Sequence, residues 1–183
     1  PRSNVLPQRI GKTAADELRQ FDERVDVSYT SISPDGQWAT WGLAETLLVK
    51  RLGIDKPPVN LLEIPFEELV SSGQRLAWSP QSDQLAYVVE NATSGRLYEI
   101  RFSDPISQEV IILVLETGTI PNFLAWSPDG QYLAFTMQEK PQSGINQIYI
   151  VRRDGTDLTQ LTQHGFGNGA IHWSPTGEAL IYD

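Results

Sequence analysis

Cysteine is absent from all 183 residues, which excludes disulfides, thiolate nucleophiles and thiolate metal ligands while leaving the cellular compartment open. Histidine occurs only at His164 and His172, so imidazole chemistry has just two places to reside. Positive charge is also scarce: 14 Lys and Arg stand against 23 Asp and Glu, for a formal net charge of −9 and a pI near 4.7. Such a chain repels phosphate backbones, and no nucleic-acid partner is expected. No apolar run reaches the roughly 20 residues that a membrane-crossing helix needs, so no membrane span is expected either. The chain opens at Pro1 without a charged-then-apolar signal segment, and the expectation is that something upstream has been removed.

What is present is repetition. Leu124-Ala-Trp-Ser-Pro-Asp-Gly-Gln-Tyr-Leu-Ala-Phe135 has three echoes, beginning at Thr30, Leu76 and Ile171. The motif prolines are Pro34, Pro80, Pro128 and Pro175, spaced by 46, 48 and 47 residues. Two positions before the proline stand Ile32, Trp78, Trp126 and Trp173; seven after it stand Trp41, Tyr87, Phe135 and Tyr182. Ala39, Leu85, Leu133 and Leu180 come five after, and large residues two apart have a strand's period rather than a helix's. Proline cannot donate to a sheet ladder, and the Asp-Gly after it in two copies is turn chemistry. Each copy therefore reads as strand, tight turn, strand.

A lone hairpin is marginal in water, and a period in the forties with strands in every unit points to propeller blades stacked about an axis. Residues 126–135, then Gln147-Ile-Tyr-Ile-Val-Arg-Arg-Asp-Gly155, then Leu158-Thr-Gln-Leu-Thr162 together resemble one repeat of the TolB-type β-propeller family. The resemblance extends over about residues 28–183 and implies an all-β fold of four-stranded antiparallel blades. It is informative about fold rather than function.

On this plan, residues 1–27 form a leader and a short amphipathic helix, capped by Thr13 with Ala14, Leu18, Phe21 and Val25 on its apolar stripe. Blades are expected at about 28–73, 74–121 and 122–167, with a half-blade at 168–183. Third and fourth strands are expected at 46–52 and 59–64, at 96–102 and 109–115, and at 146–152 and 158–162. That makes about three and a half blades, an incomplete or oligomer-completed ring, because propellers close with roughly four to eight blades. Three arrangements satisfy it: a fragment of a larger propeller, self-association of two copies into one ring, or residues 1–12 supplying part of the missing half-blade.

Several residues invite chemical readings. Asp35, Asp129, Asp154 and Asp157 lie beside glycines, but Asp35 and Asp129 sit on different blades and the alternating acids of a calcium loop are missing, so no metal is expected. Ser33, Ser79, Ser127 and Ser174 occupy one slot before the repeat proline and read as turn formers; there is no Gly-x-Ser-x-Gly elbow. Gly165-Phe-Gly-Asn-Gly169 lacks the strand-to-helix context of a phosphate loop, and no cofactor is expected. Glu45, Glu90 and Glu139 follow the second strands at similar places and would be the acids of a carbohydrate-processing enzyme, or else solvated loop charges.

Four residues remain as binding candidates: His172, whose slot holds Ser31, Ala77 and Ala125 in the other repeats; His164, in a glycine-rich loop; and Arg152 and Arg153, a small basic spot at the end of a third strand. The leading expectation is thus a non-catalytic binding module for a protein partner. The family resemblance implies a periplasmic or cell-envelope role beside a peptidoglycan-associated lipoprotein, with the cytoplasm as the alternative location. Residues 1–27 show no counterpart of the N-terminal domain found in TolB itself. The alternative function is an accessory, substrate-gating propeller of a prolyl-oligopeptidase-type serine peptidase whose catalytic domain is not in this chain.

Overall fold

A computed structural model describes residues 27–43, 46–54, 57–60, 75–91, 97–115, 118–141, 143–163 and 170–182. The helix expected before Val27, and His164 and Glu45, lie outside the described residues.

The described residues form fourteen strands in four antiparallel sheets. The first sheet runs β1 (Val27–Ile32), β2 (Trp38–Leu43), β3 (Thr46–Arg51), β4 (Val59–Asn60); the second runs β5 (Leu76–Trp78), β6 (Leu85–Asn91), β7 (Leu97–Ser103), β8 (Val110–Leu115). The third follows the same order with β9 (Asn122–Trp126), β10 (Tyr132–Gln138), β11 (Asn146–Arg152) and β12 (Thr159–Gln160). A final pair, β13 (Ile171–Trp173) and β14 (Leu180–Tyr182), makes half a blade. The protein is an all-β arc of a propeller, each sheet a meander of sequential neighbours.

Alternation along the strands decides which blade each side chain meets. In β6, Leu85, Tyr87 and Val89 join Trp78 against Leu47 and Val49 of the first blade. Their neighbours Ala86 and Val88 point the other way and join Ile100, Phe102 and Leu115 against Leu124, Trp126, Leu133 and Phe135 of the third blade. A two-residue period thus builds both faces of one sheet into separate cores. Phe102 meets Trp126 edge-on, with ring centroids 5.8 Å apart. Burying each such side chain contributes about 1.5–3 kcal/mol, so adjacent blades hold one another in place.

The outer strands differ. The fourth strand of the third blade is Thr159–Gln160, shorter than the 158–162 expected, with Leu158 and Leu161 exposed. Asp157 takes a left-handed backbone conformation (φ 56°), and the Thr162 hydroxyl accepts the Ile148 N–H at 2.9 Å where a strand carbonyl would otherwise serve. In contrast β8 runs six residues, and its outward positions Val110, Ile112 and Val114 are 43–50 % exposed.

Candidate functional site

The Ser-Pro turns all close at one end of their blades. There the Leu52 N–H donates to the Gln37 carbonyl at 2.7 Å and the Arg153 N–H to the Gln131 carbonyl at 3.0 Å, bringing the ends of third strands to the same edge. This rim of turns gathers most of the polar residues picked out from the sequence.

Each turn is built by its serine. The hydroxyls of Ser33, Ser79, Ser127 and Ser174 accept the backbone N–H that starts the second strand, at 2.9, 3.1, 2.9 and 3.1 Å. Ser33 and Ser127 also donate to Asp35 and Asp129 at 2.5 Å. Those carboxylates accept the N–H groups of Gln37 and Gln131 in turn. The glycine two positions past the proline has φ 70°, 67° and 75° at Gly36, Gly130 and Gly177, which L side chains disfavour. In the second blade Ser82 takes this slot at φ 62°, and its hydroxyl accepts the Asp35 N–H at 3.0 Å across the blade boundary.

The electrostatics follow from these contacts. The serine hydroxyl, then the backbone N–H two residues on, holds Asp35 and Asp129 below the usual carboxylate range. Thr156 does the same for Asp154 through its hydroxyl and N–H. At Asp83 burial pushes upward, but the Arg153 guanidinium and the Ser79 hydroxyl outweigh it and the net shift is downward. The rim carboxylates are therefore ionised acceptors, suited to positive or hydrogen-bond-donating surfaces rather than to proton transfer near neutrality. Among the described residues, no three His, Asp or Glu side chains gather as a metal would require.

The candidate residues separate. Arg153 reaches back to the second blade, its Nη2 donating to Asp83 Oδ2 at 2.9 Å, while its carbonyl accepts from Gln84 Nε2 at 3.3 Å. It joins blades. Arg152 is half-exposed beside Tyr132, with its guanidinium carbon 5.9 Å from the ring centroid, and has Asp154 and Asp157 at 4.0 Å. His172 is exposed on β13, paired across the strands with Ile181 and remote from the arginines in sequence and blade. Glu90 is half-buried in β6 and Glu139 exposed past β10, on separate blades.

Sequence reasoning overlooked the residues that lock blade to blade. Trp126 Nε1 donates to the Ala77 carbonyl and Trp173 Nε1 to the Ala125 carbonyl, both at 3.0 Å. Gln81 Nε2 donates to the Asp129 carbonyl at 3.1 Å, and Arg75 Nε to Asn122 Oδ1 at 2.8 Å. The one signal available was the small residue recurring three before the proline, which receives the next blade's indole.

Among curated proteins, a 99-residue stretch is 28 % identical to the Tol-Pal system protein TolB of Alcanivorax borkumensis, covering 54 % of this chain and 22 % of that protein. Another stretch of 56 residues is 36 % identical to the uncharacterized peptidase YuxL of Bacillus subtilis, covering 31 % and 8 %. Among solved structures, TolB from Acinetobacter baumannii superposes with a TM-score of 0.59 at 17 % identity, over 87 % of this chain and 38 % of that one. The chain is TolB-like in fold. Kuenenia stuttgartiensis hydrazine synthase superposes equally well, with a TM-score of 0.63 at 20 % identity over 85 % of this chain and 49 % of that one. This TolB-like arc therefore spans less than half the length of each of these four proteins. No family model matches it.

Proposed function

We propose that the protein is a non-catalytic, protein-binding β-propeller of TolB-like type that works in the periplasm or cell envelope of a bacterium. The observation behind this reading is where the reactive-looking groups direct their hydrogen bonds. Ser33, Ser127, Asp35 and Asp129 are engaged in their own turns, and Arg153 in Asp83. What they build is a firm, acid-rich rim, a surface suited to recognition. Arg152 on that rim and His172 on the half-blade are the exposed groups offered to a partner, and no cofactor is required.

The partner class implied by the likeness to TolB is a peptidoglycan-associated lipoprotein. Calorimetric titration of the chain with the soluble domain of such a lipoprotein tests this, with Arg152→Ala and His172→Ala measured alongside. Saturable binding is expected, weakened about tenfold in at least one variant, as loss of an interface anchor produces. No binding by the unaltered chain would overturn the reading.

A second reading is favoured by the 36 % identical stretch shared with the B. subtilis peptidase: a gating propeller attached to a serine peptidase domain. In that case peptide hydrolysis by the parent protein should change when the rim is altered, while lipoprotein binding stays absent.

A further inference from the structure

Three positions before each motif proline and six after it are direct partners across the first two strands: Ser31 with Thr40, Ala77 with Ala86, Ala125 with Ala134 and His172 with Ile181. Ala77 and Ala86 pack toward the third blade, and Ala125 and Ala134 toward the half-blade. Two alanines side by side make a low seat. Over it the next blade's tryptophan lies flat enough for its N–H to reach the carbonyl of Ala77 or Ala125.

The boundary between the first and second blades departs from this. Here the seat is Ser31 and Thr40, and Thr40 is 1 % exposed, so its branched side chain occupies the space that alanine leaves open elsewhere. Its hydroxyl points to the Ser31 carbonyl at 3.4 Å, the acceptor equivalent to those of Ala77 and Ala125. Trp78, the tryptophan of the second blade, is only 8 % exposed, and its Nε1 has no acceptor among the described residues. A buried indole donor without a partner is a cost, and at the two later boundaries the corresponding N–H has its carbonyl acceptor.

We propose that the boundary between the first and second blades is a built-in joint, left without its central indole latch by Thr40, at which the first blade separates from the rest of the arc before any other boundary opens. Among the described residues, the contacts across it include the packing of Leu47 and Val49 with Trp78, Leu85, Tyr87 and Val89, and the peripheral bond from the Asp35 N–H to Ser82. The joint is tuned by one side chain: alanine at position 40 recreates the seat found under Trp126 and Trp173.

Hydrogen exchange followed by NMR on the full chain tests this, with the indole signals assigned through Trp78→Phe and Trp126→Phe. In the unaltered protein the Trp78 indole proton should exchange about fivefold or more faster than that of Trp126, the factor corresponding to one net hydrogen bond. Thr40→Ala should slow the Trp78 indole, and the amides of β1 to β3, by a similar factor. The converse change, Ala86→Thr beneath Trp126, should speed exchange at Trp126; if that variant does not fold, Ala134→Thr beneath Trp173 serves the same purpose. Equal protection of Trp78 and Trp126 in the unaltered protein, or a Thr40→Ala chain whose Trp78 and β1 to β3 exchange are unchanged, would overturn the proposal.

Discussion

Arg153 of the third blade and Asp83 of the second face each other at 2.9 Å, although 70 residues separate them in the chain. The pair is partly exposed, with side chains 31 % and 46 % accessible, so it is screened by solvent and salt. Arg153→Ala should therefore lower stability by about 1 kcal/mol or less, with the loss shrinking in high salt. Urea unfolding at low and high ionic strength measures it. A variant that kept its stability but lost partner binding would instead restore Arg153 as a contact residue.

The serine of the third turn is buried and bonded on both sides. Ser127 is 2 % exposed, accepts the Tyr132 N–H and donates to Asp129. Ser127→Ala should cost about 1–3 kcal/mol, the range for leaving buried groups unsatisfied. Ser174→Ala, at a more open turn, should cost less. Thermal unfolding of the two variants side by side gives the comparison.

Removing an indole N–H should matter according to whether it has an acceptor. Trp126→Phe deletes the bond to the Ala77 carbonyl and should destabilise by about 1 kcal/mol more than the change in packing alone. Denaturant midpoints at constant m-value read this out, and equal losses for Trp126→Phe and Trp78→Phe would contradict the hydrogen-bond assignment.

Acid should unfold the arc from its rim. Asp35, Asp129, Asp83 and Asp154 all have pKa values depressed below the ordinary 3.8. A depressed carboxylate binds its proton less readily when folded, so its contribution is full above the unfolded pKa and is lost as pH falls through the folded one. Stability should thus be flat from neutrality to about pH 5 and fall below about pH 4. Asp129→Asn should flatten that fall, as followed by circular dichroism across a pH series.

The stripe on β8 is a solubility liability. Val110, Ile112 and Val114 stand exposed on an uncharged outer strand, whereas β12 presents only two residues. Ile112→Lys should raise the concentration at which aggregation begins and leave stability within about 0.5 kcal/mol, as light scattering and urea unfolding would report.

Much of the fold was legible because its signals are local. The hairpin motif fixes two strands and their turn from a dozen residues, and β11 falls at 146–152 as expected from its own alternation. The limits of β12 were not legible, because the chain there turns on the left-handed Asp157 and on a threonine hydroxyl standing in for backbone. Arg153 looked like a basic spot for a similar reason. Its partner lies a blade and a half away in sequence, and in the second repeat the acid sits at Asp83 rather than directly after the proline. Most blade-to-blade hydrogen bonds join residues about one repeat apart, and only the small residue recurring three before the motif proline hinted at them. His172 departs from that recurrence, and the structure gives it an exposed place beside Ile181.

The indole-to-carbonyl link also gives the arc a direction. The third blade carries a tryptophan on its leading face and an alanine pair on its trailing face, so a duplicate of residues 122–167 would dock behind the original with no redesign. The half-blade has the same leading face but presents His172 and Ile181 behind. A unit abutting that face would meet an imidazole and a branched chain where the second and third blades offer two alanines, so the face would need a differently shaped neighbour.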